Sequence, residues 1–251
     1  MDKKHFLEAI EALKALPQKK FKQTYELIIN LKELDLKKPE EQVELWVQLP
    51  HDKGKKIKIG AMVGPELMEQ AKASCDVVIM HDQFARYTDK KAIKKLAAEN
   101  DYFIAQANIM PDVAKTFGRY FGPRGKMPNP KAGCVVPPNA NLKALTEKLR
   151  KTIKVVAKVQ PSIKVPIGTQ DTPDEQIAEN IMTIYTNVLH KLPQEAANIK
   201  SILLKLSMSP PIKITAEGIV KPKIKTEIPA TEETKTDAKP RKKKAAEEVA
   251  K

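Results

Sequence analysis

The sequence predicts an α/β protein of two domains, the second inserted into the first, with the chain crossing between them twice through a two-stranded hinge. Three observations carry this. From Ile57 onward, short apolar blocks of strand length alternate with stretches of helical period, the pattern of a mostly parallel sheet covered on both faces. The first and last thirds instead hold strands that alternate apolar and polar residues, as a sheet buried on one face does. The charge is also uneven: residues 63–154 hold half of the +14 excess. The expected division is residues 1–62 and 155–215 for domain I, 63–154 for domain II, and 216–251 for a disordered basic tail.

Each element follows from local pattern. Residues 3–14 place Phe6, Ile10 and Leu13 on one helical face. Val43, Leu45, Val47 and Leu49 alternate with Glu44, Trp46 and Gln48, a half-buried strand that Pro50 and Gly54 end. A strand at 57–63, a short helix opened by Pro65, a strand at 76–80, a helix at about 88–99, a strand at 102–107 and a short helix after Pro111 follow. Residues 118–138 are so rich in glycine and proline that a long rigid loop is expected. Asn141 caps a helix carrying Leu142, Leu145 and Leu149. Ile163, Val165 and Ile167 alternate in a strand. Thr172 and Glu175 suggest a capping box for a helix with Ile177, Ile181, Ile184, Val188 and Leu189. Strands at 199–206 and 212–215 close the folded part and are expected to share a sheet with the strand at 43–49. The crossings are expected near 60–64 and 153–158. The tail has no aromatic residue and no apolar period; its Arg241–Lys244 cluster offers weak phosphate contact.

Composition removes several function classes. No run of about 18 apolar residues exists to span a bilayer, and the N-terminus reads as an amphipathic helix rather than a signal peptide. Cys75 and Cys134 have neither disulfide-framework nor zinc spacing. The loop GPRGKMPNP is no phosphate loop, because Tyr120 stands where a glycine is needed and Met127 where a magnesium-binding hydroxyl is needed. His5, His51, His81 and His190 are scattered, and no GxGxxG follows an expected strand. No catalytic constellation, metal site or cofactor is expected. A net charge of +14 points to a polyanion, with nucleic acid preferred over a membrane surface. No acidic residue occurs between Asp112 and Glu147, and that window holds Arg119, Arg124, Lys126 and Lys131. Its basic loop is therefore an expected RNA contact, against the alternative of a loop made rigid for packing.

At FGPRGKMPNPKAGCV, residues 121–135, the chain resembles the ribosomal protein L-one family, the large-subunit stalk protein, whose signature has the form LGPRGLMPNPKxGTV. The resemblance extends over residues 1 to about 215, through KKFKQTYEL (19–27), VELWVQLPHDKGK (43–55), SIKVPIGT (162–169) and KLSMSPPIKI (205–214), in the shorter form typical of archaea. It implies a Rossmann-like inserted domain II. It implies a cytoplasmic, ribosome-bound protein whose domain I binds the stalk of large-subunit rRNA and which assists release of deacylated tRNA from the exit site. It also implies repression of translation through its own mRNA. No enzyme activity, membrane association or homo-oligomer is implied. The positions that match the family's rRNA site are Lys20, Phe21, Thr24 and Glu26 near the first helices, with Lys164, Ser201, Ser207, Met208, Ser209 and Pro210. Arg119, Arg124, Lys126 and Lys131 become candidates for an auxiliary or tRNA contact. The commonest family form is Thr-Met-Gly-Pro; here Ser207 keeps the first hydroxyl and Ser209 replaces the glycine. The rival readings are a nucleotide-dependent enzyme and a generic polyanion or membrane-surface binder, whose affinity would follow charge alone.

Overall fold

The computed structural model describes residues 3–17, 19–38, 41–87, 89–215 and 218–220. In chain order the elements are α1 (Lys3–Lys14), β1 (Thr24–Leu31), β2 (Val43–Gln48), β3 (Ile59–Val63), α2 (Met68–Ser74), β4 (Val77–Met80), α3 (Lys90–Glu99), β5 (Tyr102–Gln106) and α4 (Met110–Phe121). They continue with β6 (Val135–Val136), α5 (Leu142–Lys151), β7 (Thr152–Ala157), β8 (Ser162–Thr169), α6 (Asp174–Lys191), β9 (Ile199–Leu206), β10 (Ile212–Thr215) and β11 (Gly218–Val220).

Both chain ends build one unit. Its antiparallel sheet runs β11-β10-β9-β1-β8, so the earliest strand lies between two of the latest. Along β1, Tyr25, Leu27, Ile29 and Leu31 are buried while Thr24, Glu26, Ile28 and Asn30 face the other way. The buried side packs on α1 through Phe6, Ala9, Ile10 and Leu13, and on α6 through Ile177, Ile181, Ile184 and Val188. Side chains alternate across a strand, so the opposite face of the sheet carries the polar set.

The middle of the chain builds a second unit around the parallel sheet β4-β3-β5-β6. Ile59, Ala61 and Val63 of β3 point to α2 and α5, while Met62 points to α3 and α4, so the sheet is covered on both faces. Gly60 leaves room for the Phe103 ring: a Cβ there would stand 2.7 Å from it. α4 is held by Val113, Phe117 and Phe121, all fully buried. β2 and β7 form their own two-stranded antiparallel sheet, with Gln48 opposite Thr152, where the chain leaves and rejoins the first unit.

The structure corrects the sequence reading in six places. Residues 24–31, where no local pattern predicts an element, form the central strand, so Thr24 and Glu26 stand on β1 rather than near a helix. The strand at 43–48 pairs with β7 and not with the late strands. The first crossing runs through 49–58, since Ile59–Val63 is wholly buried in the parallel sheet. The segment 118–138 is not all loop. α4 continues to Phe121, because three buried apolar side chains outweigh a glycine at 118 that costs about 1 kcal/mol relative to alanine, and Val135–Val136 pairs with β5. No capping box forms at α6: the Thr172 N–H closes a turn onto the Thr169 carbonyl at 3.0 Å, and Pro173 stands at the helix start with no side-chain cap. The tail does not begin at 216, since Gly218–Val220 pairs with β10; the Arg241–Lys244 cluster lies outside the described residues.

Candidate nucleic-acid interface

The uncovered face of the five-stranded sheet gathers most of the implied rRNA residues. Thr24 and Glu26 project from β1, Lys164 from β8, and Ser201 from β9; Ser207 to Pro210 form the turn that leaves β9. Register fixes their arrangement. Thr24 lies opposite Thr169, Glu26 opposite Lys205, Ile28 opposite Lys164 and Asn30 opposite Ser201. Ser201 therefore lies at the far end of the face from Ser207, roughly 20 Å away at strand spacing. Lys20 and Phe21 precede β1 at the Ser207 end, both exposed.

Two large apolar side chains are left in solvent at that end: Phe21 at 51% exposure and Met208 at 66%. The backbone beneath Met208 is locked. Its N–H donates to Gln23 Oε1 at 3.0 Å, and the Gln23 N–H donates to Gln170 Oε1 at 2.9 Å. The Ser207 N–H donates to the Thr24 carbonyl at 3.1 Å. Ser209 Oγ accepts the Leu206 N–H at 2.8 Å, and the Ser209 N–H returns to the Leu206 carbonyl at 3.1 Å. Ser209 has no positive φ, so the turn does not need the family's glycine and its hydroxyl closes the turn instead. An exposed methionine on so fixed a turn is presented outward.

The polar residues of the face have definite states. Glu26 pairs with Lys205 Nζ at 3.0 Å across the strands, which offsets its repulsion of phosphates and leaves acceptor capacity. Ser201 Oγ accepts Asn30 Nδ2 at 3.0 Å, so its own hydrogen is available to an outside acceptor. Lys205, Gln23 and Gln170 escaped the sequence reading. Their partners lie far away in the chain, and only strand pairing brings them together.

The Thr24–Glu26 end opens into a cleft of about 410 Å³ against the second unit, lined also by Lys53, Lys55, Asp101, Tyr102, Lys154 and Ser207. Lys53 is buried here. Its Nζ donates to the Thr152 carbonyl, which also accepts the Tyr102 hydroxyl at 3.2 Å. Burial pushes the Lys53 ammonium down to about 8 from 10.5. Below pH 8 both folded and unfolded states carry this proton; between about 8 and 10.5 the unfolded chain holds more of it, so stability from this group rises with pH. Burial pushes the Cys75 and Cys134 thiols up to about 11 from 9.0, which acts in the opposite sense as pH passes 9. The stability of the parent relative to Lys53→Met is therefore expected to rise from pH 8 to 10 with a slope of up to about 1.4 kcal/mol per unit. Urea unfolding at stepped pH checks this; a difference independent of pH contradicts it.

The auxiliary candidates do not form one loop surface. Arg119 is exposed on α4 and Lys131 on the turn after it. Arg124 Nη1 donates to the Lys94 carbonyl at 2.6 Å, and Lys126 Nζ to the Asp101 carbonyl at 3.0 Å with the Asp101 carboxylate at 3.8 Å. Lys126 thus fastens the segment to the sheet. Gly125 and Gly133 have positive φ, +64° and +73°, and the Cys134 N–H donates to the Asn129 carbonyl at 3.1 Å. Much of the signature serves to seat the short edge strand β6.

The place where an α/β sheet would hold a nucleotide is filled. Strand order reverses between β3 and β5, and nucleotide crevices form at such a point. Here the buried Gln106 crosses it, its Oε1 accepting the Gly64 N–H at 2.9 Å and its Nε2 donating to Glu66 at 3.2 Å. Among the described residues no cluster of three or more His, Cys, Asp and Glu is placed to hold a metal, and no helix is long and apolar enough to cross a membrane.

Residues 13–210 match the family described as "Ribosomal protein L1p/L10e family". The "Large ribosomal subunit protein uL1" of Nanoarchaeum equitans is 44% identical over 201 residues, covering 78% of this chain and 93% of the relative. That of Methanothermococcus thermolithotrophicus is 41% identical over 216 residues, covering 85% and 99%. That of Thermofilum pendens is 40% identical over 219 residues, covering 85% and 94%.

Proposed function

The chain belongs to the ribosomal protein L1p/L10e family, and from that premise we propose that it binds the stalk region of large-subunit rRNA through the open face of its antiparallel sheet. The observation that carries this reading is the locked turn that holds Met208 outward beside Phe21 at the end of an uncovered polar sheet face. Specific RNA sites read shape, 2′-hydroxyls and unstacked bases more than charge. Met208 and Phe21 pack on sugars or bases. Glu26, neutralised by Lys205, accepts from a 2′-hydroxyl or a base amino group, and the Ser201 hydroxyl and Lys164 hold the backbone at the far end. Thr24, Ser207, Ser209 and Pro210 shape the turn, while Lys20 adds charge at its edge.

In this reading the protein works within the large ribosomal subunit, where the stalk it grips assists departure of deacylated tRNA from the exit site. Its own mRNA, presenting a similar fold to the same face, is bound in competition and its translation repressed. Both units are needed: the sheet for recognition, the second unit to reach a passing RNA through exposed cations such as Arg119 and Lys131. The ribosomal family sets aside the nucleotide-dependent enzyme, in keeping with the Gln106 side chain across the switch point.

Gel-shift titration against a stalk rRNA fragment and a scrambled RNA of equal length tests the proposal. The stalk fragment is expected to bind at least about 100-fold more tightly, and a leader fragment of the protein's own mRNA to compete with it. Equal affinity for the scrambled RNA would sink specific recognition and favour binding by charge alone.

A further inference from the structure

We infer that the open face of the five-stranded sheet is a docking surface for the chain's own residues 221–237, an internal competitor that RNA must displace. Strand register sets one row of side chains across that face: Lys164 of β8, Ile28 of β1, Leu203 of β9, Lys213 of β10 and Val220 of β11. Their strand neighbours Ile29, Ile202 and Ile214 are buried, so the row points away from the core, and α1 and α6 cover only the other face. Ile28 and Leu203 lie side by side at its centre, both half-buried. Lys164 and Lys213 flank them, exposed and with no ion-pair partner among the described residues. An apolar pair between two unpaired cations suits an acidic segment that carries apolar side chains.

Residues 221–237 have that chemistry and start from the right place. Val220, the last described residue, stands at the rim end of the row on the edge strand, 54% exposed. Strands lie about 4.8 Å apart, which puts Leu203 about 10 Å, Ile28 about 14 Å and Lys164 about 19 Å from it. An extended chain rises about 3.3 Å per residue, so Ile224 reaches up to about 13 Å, over the apolar pair. The twelve residues from Val220 to Glu232 are long enough to pass Lys164 and to make the turn that the crossing needs. Ile224 and Ile228, four apart, share one face of an extended chain, and Lys221, Lys223 and Lys225 take the other. Glu227, Glu232, Glu233 and Asp237 then stand against the single Lys235. A tether this short gives an effective concentration on the order of millimolar, so weak contacts suffice. Lys164 belongs to the proposed RNA site, so the docked segment lowers the affinity of that face for RNA, and weak binders fail to displace it.

This inference rests on the reading above for what is displaced but not for the docking, and the two can fail separately. The first measurement is zero-length carbodiimide cross-linking of the full chain, mapped by mass spectrometry on an equal mixture of isotopically light and heavy protein. Amide links from an acid within 227–237 to Lys164 or Lys213 are expected, all within one isotopic form. The second measurement is gel-shift titration of the full-length double variant Ile224→Ser, Ile228→Ser with the stalk rRNA fragment over a range of salt. Loss of the apolar anchors should remove the cross-links and tighten RNA binding by about threefold or more, as expected when a face that is open a third of the time becomes free. The salt slope should stay unchanged, because no charge is altered. Absence of the cross-links, links only between light and heavy chains, or parent-like RNA affinity of the double variant overturns the inference. Failure of the parent to bind the stalk fragment overturns the first reading, and the cross-link map still decides this one.

Discussion

Met208→Asp is expected to weaken stalk-RNA binding by at least about 100-fold and to leave the fold intact. The side chain is 66% exposed and packs no core, so its replacement costs little stability. Its backbone, held by Gln23 and by the turn that Ser209 closes, cannot swing the new carboxylate away. A fixed negative charge then meets sugars and phosphates at contact distance, and such a like-charge approach costs several kcal/mol in a desolvated interface. Gel shift measures the loss, and circular dichroism checks the fold. Met208→Gln, close in size and uncharged, should retain most of the affinity, which separates charge from shape. Parent-like binding by Met208→Asp would move the recognition site away from the late turn.

Phe117→Ala carries the largest expected cost in stability, about 3–5 kcal/mol. The ring is fully buried. It meets Phe84 edge-on at 5.4 Å, Tyr87 at 5.5 Å and Phe121 at 5.3 Å, and it is the centre of the aromatic cluster between α4 and the parallel sheet. Neighbours on three sides prevent collapse into the space left behind. The loss falls on the inserted unit, whose calorimetric transition is expected to drop by more than about 10 °C while the first unit melts near its former temperature. A shift below about 3 °C would mean that the cluster does not hold α4 in place.

These two residues also show what was legible in the sequence. Phe117 sits in a stripe with Val113 and Phe121, but glycines and prolines just beyond hid the length of α4; the buried stripe decides, and punctuation yields to it. The caps and periods of α5 were readable because Asn141 Oδ1 accepts the Lys143 and Ala144 N–H groups locally, at 3.1 and 3.3 Å. β1 was not readable in the same way. Ile28 faces outward between Leu27 and Ile29, so Leu27-Ile28-Ile29 reads as a run and conceals the alternation. Met208 and Phe21 are apolar, and apolar residues default to the core; only the resemblance singled them out, and only register placed them at one end of a sheet. The Glu26–Lys205 pair and the Gln23–Met208 lock join positions more than 170 residues apart, and no local pattern carries that information.

The place of β1 has a consequence for how the molecule is made. Its neighbours are β8 and β9, which begin only at Ser162 and Ile199, so for most of synthesis the strand at 24–31 has no partner on either side. The inserted unit, local in its contacts, is able to fold first and brings Gln48 and Thr152 together. The surface proposed for stalk RNA comes into being only after Pro210 has left the ribosome that is translating it. A nascent chain thus has no finished stalk-binding face for its own message until the late strands have paired with β1.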